Sequence, residues 1–457
     1  MDERALQRIT LLVVTMSSFA TPLMLAAPNV SVPAIAAAFG TGVVAVGWVS
    51  TAYLLSSAVF LLPFGKLADA HGRRRFLLWG LGAVALGSAL CAAAPNFPAL
   101  VAARLFQGIG AGMLYATSMA LLSSVYPKEK RGAAIGISTS MIYFGLTAGP
   151  LLGGWITHQF GWRMVFVLPL PLLAVCLYLG ITQLKGEWKA PPGGRFDLAG
   201  ALIYAASIIA LMGGVSNLPS AFGWLATLGA GAGMVVFFAY EHRHKHPLFD
   251  VSLFYTNRVF TFSCLASLLI YAATFANTFL MSLYLQKLKG LDAQTAGLIM
   301  ISQPIMMALL SPFAGTLSDR IQPRVLASTG MALCAAGLVL LASAQPDTAI
   351  AVLIGYLLIV GTGFALFSSP NMSAIMGSVE PRQYGTASSS VATVRVVGQM
   401  MSMALITLVS ALVMGRLPID PAHFGLLAKS IQVSFIVAAA LCLAGMGLSL
   451  ARGQLRR

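Results

Sequence analysis

Apolar runs about 18 to 25 residues long recur from one end of this chain to the other, and a helix of that length crosses a bilayer core of roughly 30 Å. Nothing else in the sequence constrains the fold as strongly. With 58% of its 457 residues hydrophobic and 9% charged, the chain has too few charges to cover a water-soluble surface. It reads as an all-α polytopic membrane protein whose polar connections reach only about 12 to 20 residues, too short for a soluble domain. The opening MDERALQR leads into an apolar segment too long for a cleavable signal and without a small-residue cleavage site, so the first span is expected to be retained.

About fourteen spans are expected, near 9–38, 44–64, 76–95, 98–125, 132–158, 162–183, 197–216, 222–240, 258–285, 293–316, 324–344, 348–377, 385–414 and 427–450. A net charge of +15 raises the question of a nucleic-acid partner, and the placement of the basic residues answers it. HGRRR (71–75), PKEKR (127–131), KGEWKAPPGGR (185–195), EHRHK (241–245) and the tail ARGQLRR (451–457) all fall on one side of the alternating path. The other side carries Arg163, Lys287, Lys289, Arg416 and Lys429. That asymmetry orients the chain with both termini in the cytoplasm, so the excess charge is topology and not a nucleic-acid footprint. The histidines of HRHKH (242–246) belong to the same basic loop and are not read as a metal site. Cys91, Cys176, Cys264, Cys334 and Cys442 sit singly in apolar runs and read as packing residues.

The chain also echoes itself about 250 residues apart. GKLAD (65–69) returns as GTLSD (315–319), Gly110 and Gly112 as Gly361 and Gly363, and Gly132, Ala134 and Gly145 as Gly385, Ala387 and Gly398. Two six-helix bundles related by pseudo-symmetry are expected, 1–190 and 251–457, with two extra central helices in an inserted segment, 191–250. Related halves with a site between them near the midplane are a transporter layout.

Three segments then carry a resemblance. GKLADAHGRRR (65–75) looks like the G-x-L-x-D-x-x-G-R-R loop between helices 2 and 3 of the major facilitator superfamily. RLFQGIGAG (104–112) resembles that family's helix 4 motif, R-x-x-Q-G-x-G, and GLTAGPLLGG (145–154) is similar to its helix 5 antiporter motif, G-x-x-x-G-P-x-x-G-G. WRMVF (162–166), FDLAG (196–200), PLFDVSLF (247–254), SLYLQ (282–286) and SPNMSAIMGSV (369–379) resemble the fourteen-helix drug–proton antiporter branch. The resemblance spans nearly the whole chain. It implies a secondary transporter that exports small organic molecules across the cytoplasmic (inner) membrane by alternating access, a multidrug-efflux antiporter coupled to protons and working as a monomer. No cofactor is implied.

The same resemblance implies a latch. Asp69, framed by Gly65 and Gly72 and held by Arg73, would meet the positive N-terminal end of helix 11 when the cytoplasmic side is shut, an attraction of about 0.3–2 kcal/mol. Asp319 and Arg324 would be a weaker counterpart in the second half, where Gln322 replaces the glycine. The plain alternative is a solvated, orienting charge cluster. A charge inside a span costs about 2.5–3.5 kcal/mol unless it faces protein or water. Arg104, near the outer start of helix 4, is therefore expected to face a cavity with Gln107, or to snorkel to the interface. Arg395 in helix 11 lies further from any interface. Asn29, Tyr53, Asn277, Gln303 and Asn371, with Tyr115 and Tyr143, complete the candidate cavity, although each would serve equally well as an interhelical hydrogen bond. Gly145, Gly149 and Gly153 form a flat face for close helix contact, Pro150 bends that helix, and with Gly154 it is expected to pack against a second-half partner.

The stretch LMLAAPNVSVPAI (23–35) is the sharpest departure. It resembles the branch's helix 1 motif, L-D-x-T-I-V-N-V-A-L-P, with Asn29, Val30 and Pro33 aligned, yet the aspartate falls on Met24 and the threonine on Ala26. Pro28 and Pro33 free the carbonyls of Met24 and Asn29, which is tolerated at membrane depth only in a protein interior or a wet cavity. None of the 13 acids falls deep in a span. Two arginines and neutral polar groups favour neutral or anionic substrates over lipophilic cations, so an exporter or facilitator of such a metabolite is the alternative within transport. A membrane-embedded enzyme or receptor is the alternative of another class. No histidine lies deep in a span, no Ser-His-Asp or paired-carboxylate set is visible, and no GxxxxGK[ST] loop is present to drive an ATP pump.

Overall fold

The computed structural model describes residues 3–453 apart from 190–195, 219, 245, 246, 250, 319, 381, 382, 416 and 418. The first half contains α1 (Glu3–Val30), α2 (Val32–Phe39), α3 (Val43–His71), α4 (Arg73–Ala92), α5 (Phe97–Val125), α6 (Lys128–Phe160), α7 (Arg163–Val167) and α8 (Leu170–Thr182). A hairpin of α9 (Leu198–Ser216) and α10 (Ala221–Arg243) follows. The second half contains α11 (Ser252–Thr256), α12 (Arg258–Thr274), α13 (Asn277–Leu283), α14 (Ala293–Met300), α15 (Ser302–Leu317), α16 (Pro323–Ala342), α17 (Ile350–Gly377), α18 (Tyr384–Val413) and α19 (Phe424–Ala451). Thirteen described stretches are helical, long and apolar enough to cross a membrane. The 33-residue α6 stands where the fifth span is expected. With α6 the helices make fourteen candidate crossings, and an even number would bring both ends of the described path to one face, called here the face of the termini.

The halves repeat a local device. The first spanning helix of each is interrupted. α1 stops at Val30, after Pro22 and Pro28, and α2 begins at Val32, with Pro33 in its first turn, after a one-residue break at Ser31. In the second half α12 gives way at Phe275 and Ala276 to α13, where the freed Ala276 N–H donates to Ser402 Oγ of α18 (3.1 Å). The chain then passes through a π-helical turn, Tyr284–Leu288. Such unwound points are stable at membrane depth because neighbouring helices take up the backbone groups.

Glycines set the helix spacing. A Cβ on Gly145, Gly149 or Gly153 would lie 2.4–2.5 Å from Phe19 O, Ala26 Cβ or Ala27 O, so this face of α6 presses on α1 of its own half. The expected contact with the second half is made by their neighbours: a Cβ on Gly154 would lie 2.4 Å from Ala293 O, and one on Gly297 would lie 2.3 Å from Pro150 O. The hairpin leans on both halves, since α9 packs against α3 and α18, and Tyr204 donates to Ala58 O (2.9 Å). All five cysteines are buried and unpaired, as packing residues should be.

Candidate functional site

Arg104 stands near the start of α5 with none of its surface exposed. Its Nε donates to Val49 O (2.7 Å), and its Nη1 donates to Met24 O (3.3 Å) and Gln107 Oε1 (2.5 Å). The carbonyl that Pro28 frees in α1 is therefore taken by the arginine. Its guanidinium carbon also lies 4.5 Å from the Tyr53 ring centre and 5.7 Å from that of Phe166. Oxygen acceptors and ring faces stand in for a counter-ion, and Nη2 is left with no partner. Arg104 is thus enclosed between α1, α3 and α5; it neither snorkels nor opens toward the second half. Gln107 passes the network on, donating to Ser88 Oγ of α4 (2.7 Å), and its Nε2 lies 3.5 Å from Met24 Sδ. The place where the helix 1 motif carries an acid is therefore filled by a thioether set against Gln107 Nε2 and Ser88 Oγ (3.6 Å), while Arg104 meets the backbone carbonyl of the same residue. Asn29 braces the same wall, accepting from Ser50 Oγ (2.5 Å).

Arg395 is the contrasting case. It lies midway along α18, half-buried, and faces the first half, with its guanidinium carbon 5.8 Å from the Tyr115 ring centre. No acid or hydrogen-bond acceptor holds it among the described residues. Close by, the Tyr143 hydroxyl of α6 shares a hydrogen bond with Ser368 Oγ of α17, again across the halves. Among the described residues, Arg395 is thus a cation without a bonded acid, set beside tyrosines between the halves.

The remaining candidates are spread out. Asn277 sits at the second-half break, donates to Gln303 Oε1, and leaves Oδ1 unpartnered. Asn371 lies nearer the face of the termini and donates to Ser263 O (3.0 Å) and Ser267 Oγ (2.9 Å). Its Oδ1 accepts from Arg452 Nη1 (2.7 Å). Arg452 is only 2% exposed, and burial, with Arg324 nearby, pushes its pKa down to about 10. In the sequence it reads as one more basic tail residue; its burial depends on the register of α19 against α12 and α17, for which no local signal exists.

The loop motif is ordered within the first half. Arg73 binds Asp69 through Nε (2.8 Å) and Nη2 (2.7 Å), and its Nη1 reaches Ala120 O (3.1 Å) and Ser124 Oγ at the end of α5. Gly72 turns the chain with φ 124°, a region closed to most side chains, and a Cβ there would run into Glu187. Glu187 in turn accepts from the Arg74 N–H (2.9 Å). Gly65 has open space around its Cα. Among the described residues Asp69 bonds to Arg73 and to no group of the second half; the start of helix 11, where the expected contact would fall, lies largely outside the described side chains. Asp319 lies outside the described residues. On the opposite face the halves are joined: Val30 O, the last carbonyl of α1, accepts from Gln286 Nε2 (2.7 Å) and Ser282 Oγ (3.2 Å) of the second half, and His158 Nδ1 lies 3.8 Å from Asp292. No group of three or more metal-binding side chains occurs among the described residues.

The family model of the Major Facilitator Superfamily matches residues 14–403, and again 263–453. The chain belongs to this superfamily. It is 31% identical over 390 residues to the riboflavin transporter RibZ of Clostridioides difficile (strain 630), covering 85% of this chain and 84% of that one. It is 32% identical over 385 residues to the multidrug resistance protein Stp of Mycobacterium tuberculosis (strain ATCC 25618 / H37Rv), covering 83% and 71%. Its fold matches a bacterial homologue of the human lysosomal transporter Spinster, solved inward-facing and unoccupied, with TM-score 0.72 at 15% identity, covering 99% of this chain and 98% of that one. Superfamily members are transporters and not enzymes, so the central residues are to be read for binding and movement.

Proposed function

We propose that the chain is a secondary exporter of small organic molecules working by alternating access as a monomer, with protons as the counter-ion, both termini in the cytoplasm, and a preference for anionic or neutral substrates. One observation carries the substrate preference: at the midplane between the halves Arg395 is a half-buried cation without an acid, while the first-half position that would hold an acid is Met24. A lipophilic cation would meet repulsion there, whereas a carboxylate would find a charge-assisted hydrogen bond. The relatives support a broad substrate range, one being named for riboflavin and another for multidrug resistance. Asp69 and Arg73 would act as the gate on the face of the termini, with Asp69 moving to the second half when that face shuts.

The test is flux in proteoliposomes under a pH gradient, comparing a fluorescent carboxylate with a quaternary ammonium dye. Wild type should move the carboxylate better, and Arg395→Ala should lower its uptake about tenfold, the loss expected for one charge-assisted contact. Dye transport that exceeds carboxylate transport and ignores the Arg395 change would overturn the substrate assignment.

A further inference from the structure

Among the described residues only two acids are buried, Asp197 at 7% exposure and Glu241 at 2%, and they lie together, away from the centre. Asp197 caps the start of α9, its Oδ1 accepting from the Gly200 N–H (2.9 Å) and the Tyr240 hydroxyl (3.2 Å). Glu241 is in the last turn of α10, and its Oε2 accepts from the Phe249 N–H (3.0 Å). The other two oxygens, Asp197 Oδ2 and Glu241 Oε1, are buried with no hydrogen-bond partner. They flank one point: a Cβ placed on Gly200 would lie 2.5 Å from the first and 2.4 Å from the second. The oxygens are therefore less than about 5 Å apart, a separation at which two buried carboxylates do not both stay ionised without a proton or cation between them. His244 Nε2 lies 3.9 Å from Asp197 Oδ2, too far for a hydrogen bond. Among the described residues Tyr240 and His244 are the other ionisable groups facing the pair, and no charged side chain of α3 or α18, which pack against α9, bonds to either carboxyl; Arg195, Lys245 and His246 lie outside the described residues.

The glycine matters to this arrangement, because any side chain at position 200 would fill the space between the two oxygens. The pair also sits at a joint. Phe249 is buried, its ring lies 5.7 Å from Phe254, and Phe254 lies 5.0 Å from Phe260 in the first turn of α12. Glu241 thereby ties the end of the inserted hairpin to the chain that enters the second half.

We infer that Asp197 and Glu241 form a proton-binding site, with one shared proton between Oδ2 and Oε1 that clasps the hairpin to the 247–254 segment. The proton exchanges with water on the face of the termini. When it leaves, two carboxylates repel, Glu241 moves off, and Phe249 loses its acceptor. The site is independent of what the central cavity carries.

Hydrogen exchange of segment 247–254 in the full-length protein in lipid vesicles tests this, read as protection relative to the intrinsic rate at each pH between about 5 and 9. Wild-type protection should fall about tenfold or more as the shared proton leaves, one pH unit of linkage being a factor of ten. Glu241→Gln keeps an acceptor for Phe249 and supplies a donor for Asp197, so its protection should stay high and flat. Glu241→Ala should be low and flat. Infrared difference spectra supply a second readout that survives a poorly folded variant: a protonated-carboxyl band that titrates in wild type and is absent from Glu241→Gln. Wild-type protection that is flat with pH, protection that follows added sodium or calcium instead, or a titrating band unchanged in Glu241→Gln would overturn the proposal.

Discussion

Removing the Arg104 guanidinium would leave Val49 O, Met24 O and Gln107 Oε1 buried without their donor. Each such loss costs about 1–3 kcal/mol, so losing all three in Arg104→Ala is expected to lower stability by roughly 3–9 kcal/mol, seen as a lower unfolding temperature of the purified protein. Arg104→Lys retains the charge but not the fork, and should recover only part of the loss. A variant as stable as wild type would show that the arginine is not the brace of the helix 1 break. Met24→Asp reverses the chain's departure from the motif by placing a carboxylate beside Arg104, Gln107 and Ser88. It is expected to raise the uptake of quaternary ammonium dyes and to steepen the pH dependence of flux; unchanged selectivity would show that this position does not set substrate charge. The sequence pointed to Arg104 and Gln107 through spacing, and to Met24 O through Pro28. It could not show that these groups meet, since that depends on how α1 and α5 cross. Arg452 and the Asp197–Glu241 pair escaped for a related reason: at span ends, ordinary charges look like topology until packing buries them.

At the level of helices, the α6 glycine face makes a graded prediction. A Cβ at position 149 would lie 2.5 Å from Ala26 Cβ, so Gly149→Val must push α6 off α1, at an overpacking cost of about 1–3 kcal/mol or more. The unfolding temperature should fall for Gly149→Val and stay unchanged for Gly229→Ala in α10, where a Cβ meets open space. The start of α14 offers a second test. Thr295 N–H and its hydroxyl hold the Asp292 carboxyl below the usual carboxylate range. A depressed carboxyl contributes stability that is fully present above the ordinary value of about 3.9 and is lost as pH falls through the folded value. Asp292→Ala should therefore cost about 1 kcal/mol at neutral pH, the usual worth of an N-cap, and add no further loss in acid. Breaks in helices were unequally readable. Pro28 and Pro33 mark the one in α1. The matching break at Phe275 and Ala276 carries no proline or glycine and is held by Ser402 from another helix, so no local pattern announces it.

Across the whole molecule, the all-helical membrane fold was readable because apolar length survives in any reading of the chain, and the division into two halves and a hairpin rests on the repeat of about 250 residues. The conformation was not, because it is a difference between interfaces and not between elements. On the face opposite the termini the halves touch through Val30 O, Gly154, Gly297 and the His158–Asp292 approach. Since all five native cysteines are buried, cysteines replacing His158 and Asp292 can be joined selectively by a short reducible crosslinker. Transport should stop on crosslinking and return on reduction; flux that continues in the crosslinked protein would mean this seam need not part. The glycine contact itself has a mechanical consequence. Where the backbones of Pro150, Gly154 and Gly297 touch, no side chain can reorient, so the halves can turn about the point but not slide across it. From there to the start of α6 is about 33 Å of helix, and a tilt of about 10° carries that far end through about 6 Å, the width of a small organic molecule. In the alternating access proposed above, Gly154 and Gly297 would act as the axle, and the length of α6 would be the lever arm that turns a slight rotation at one face into a doorway at the other.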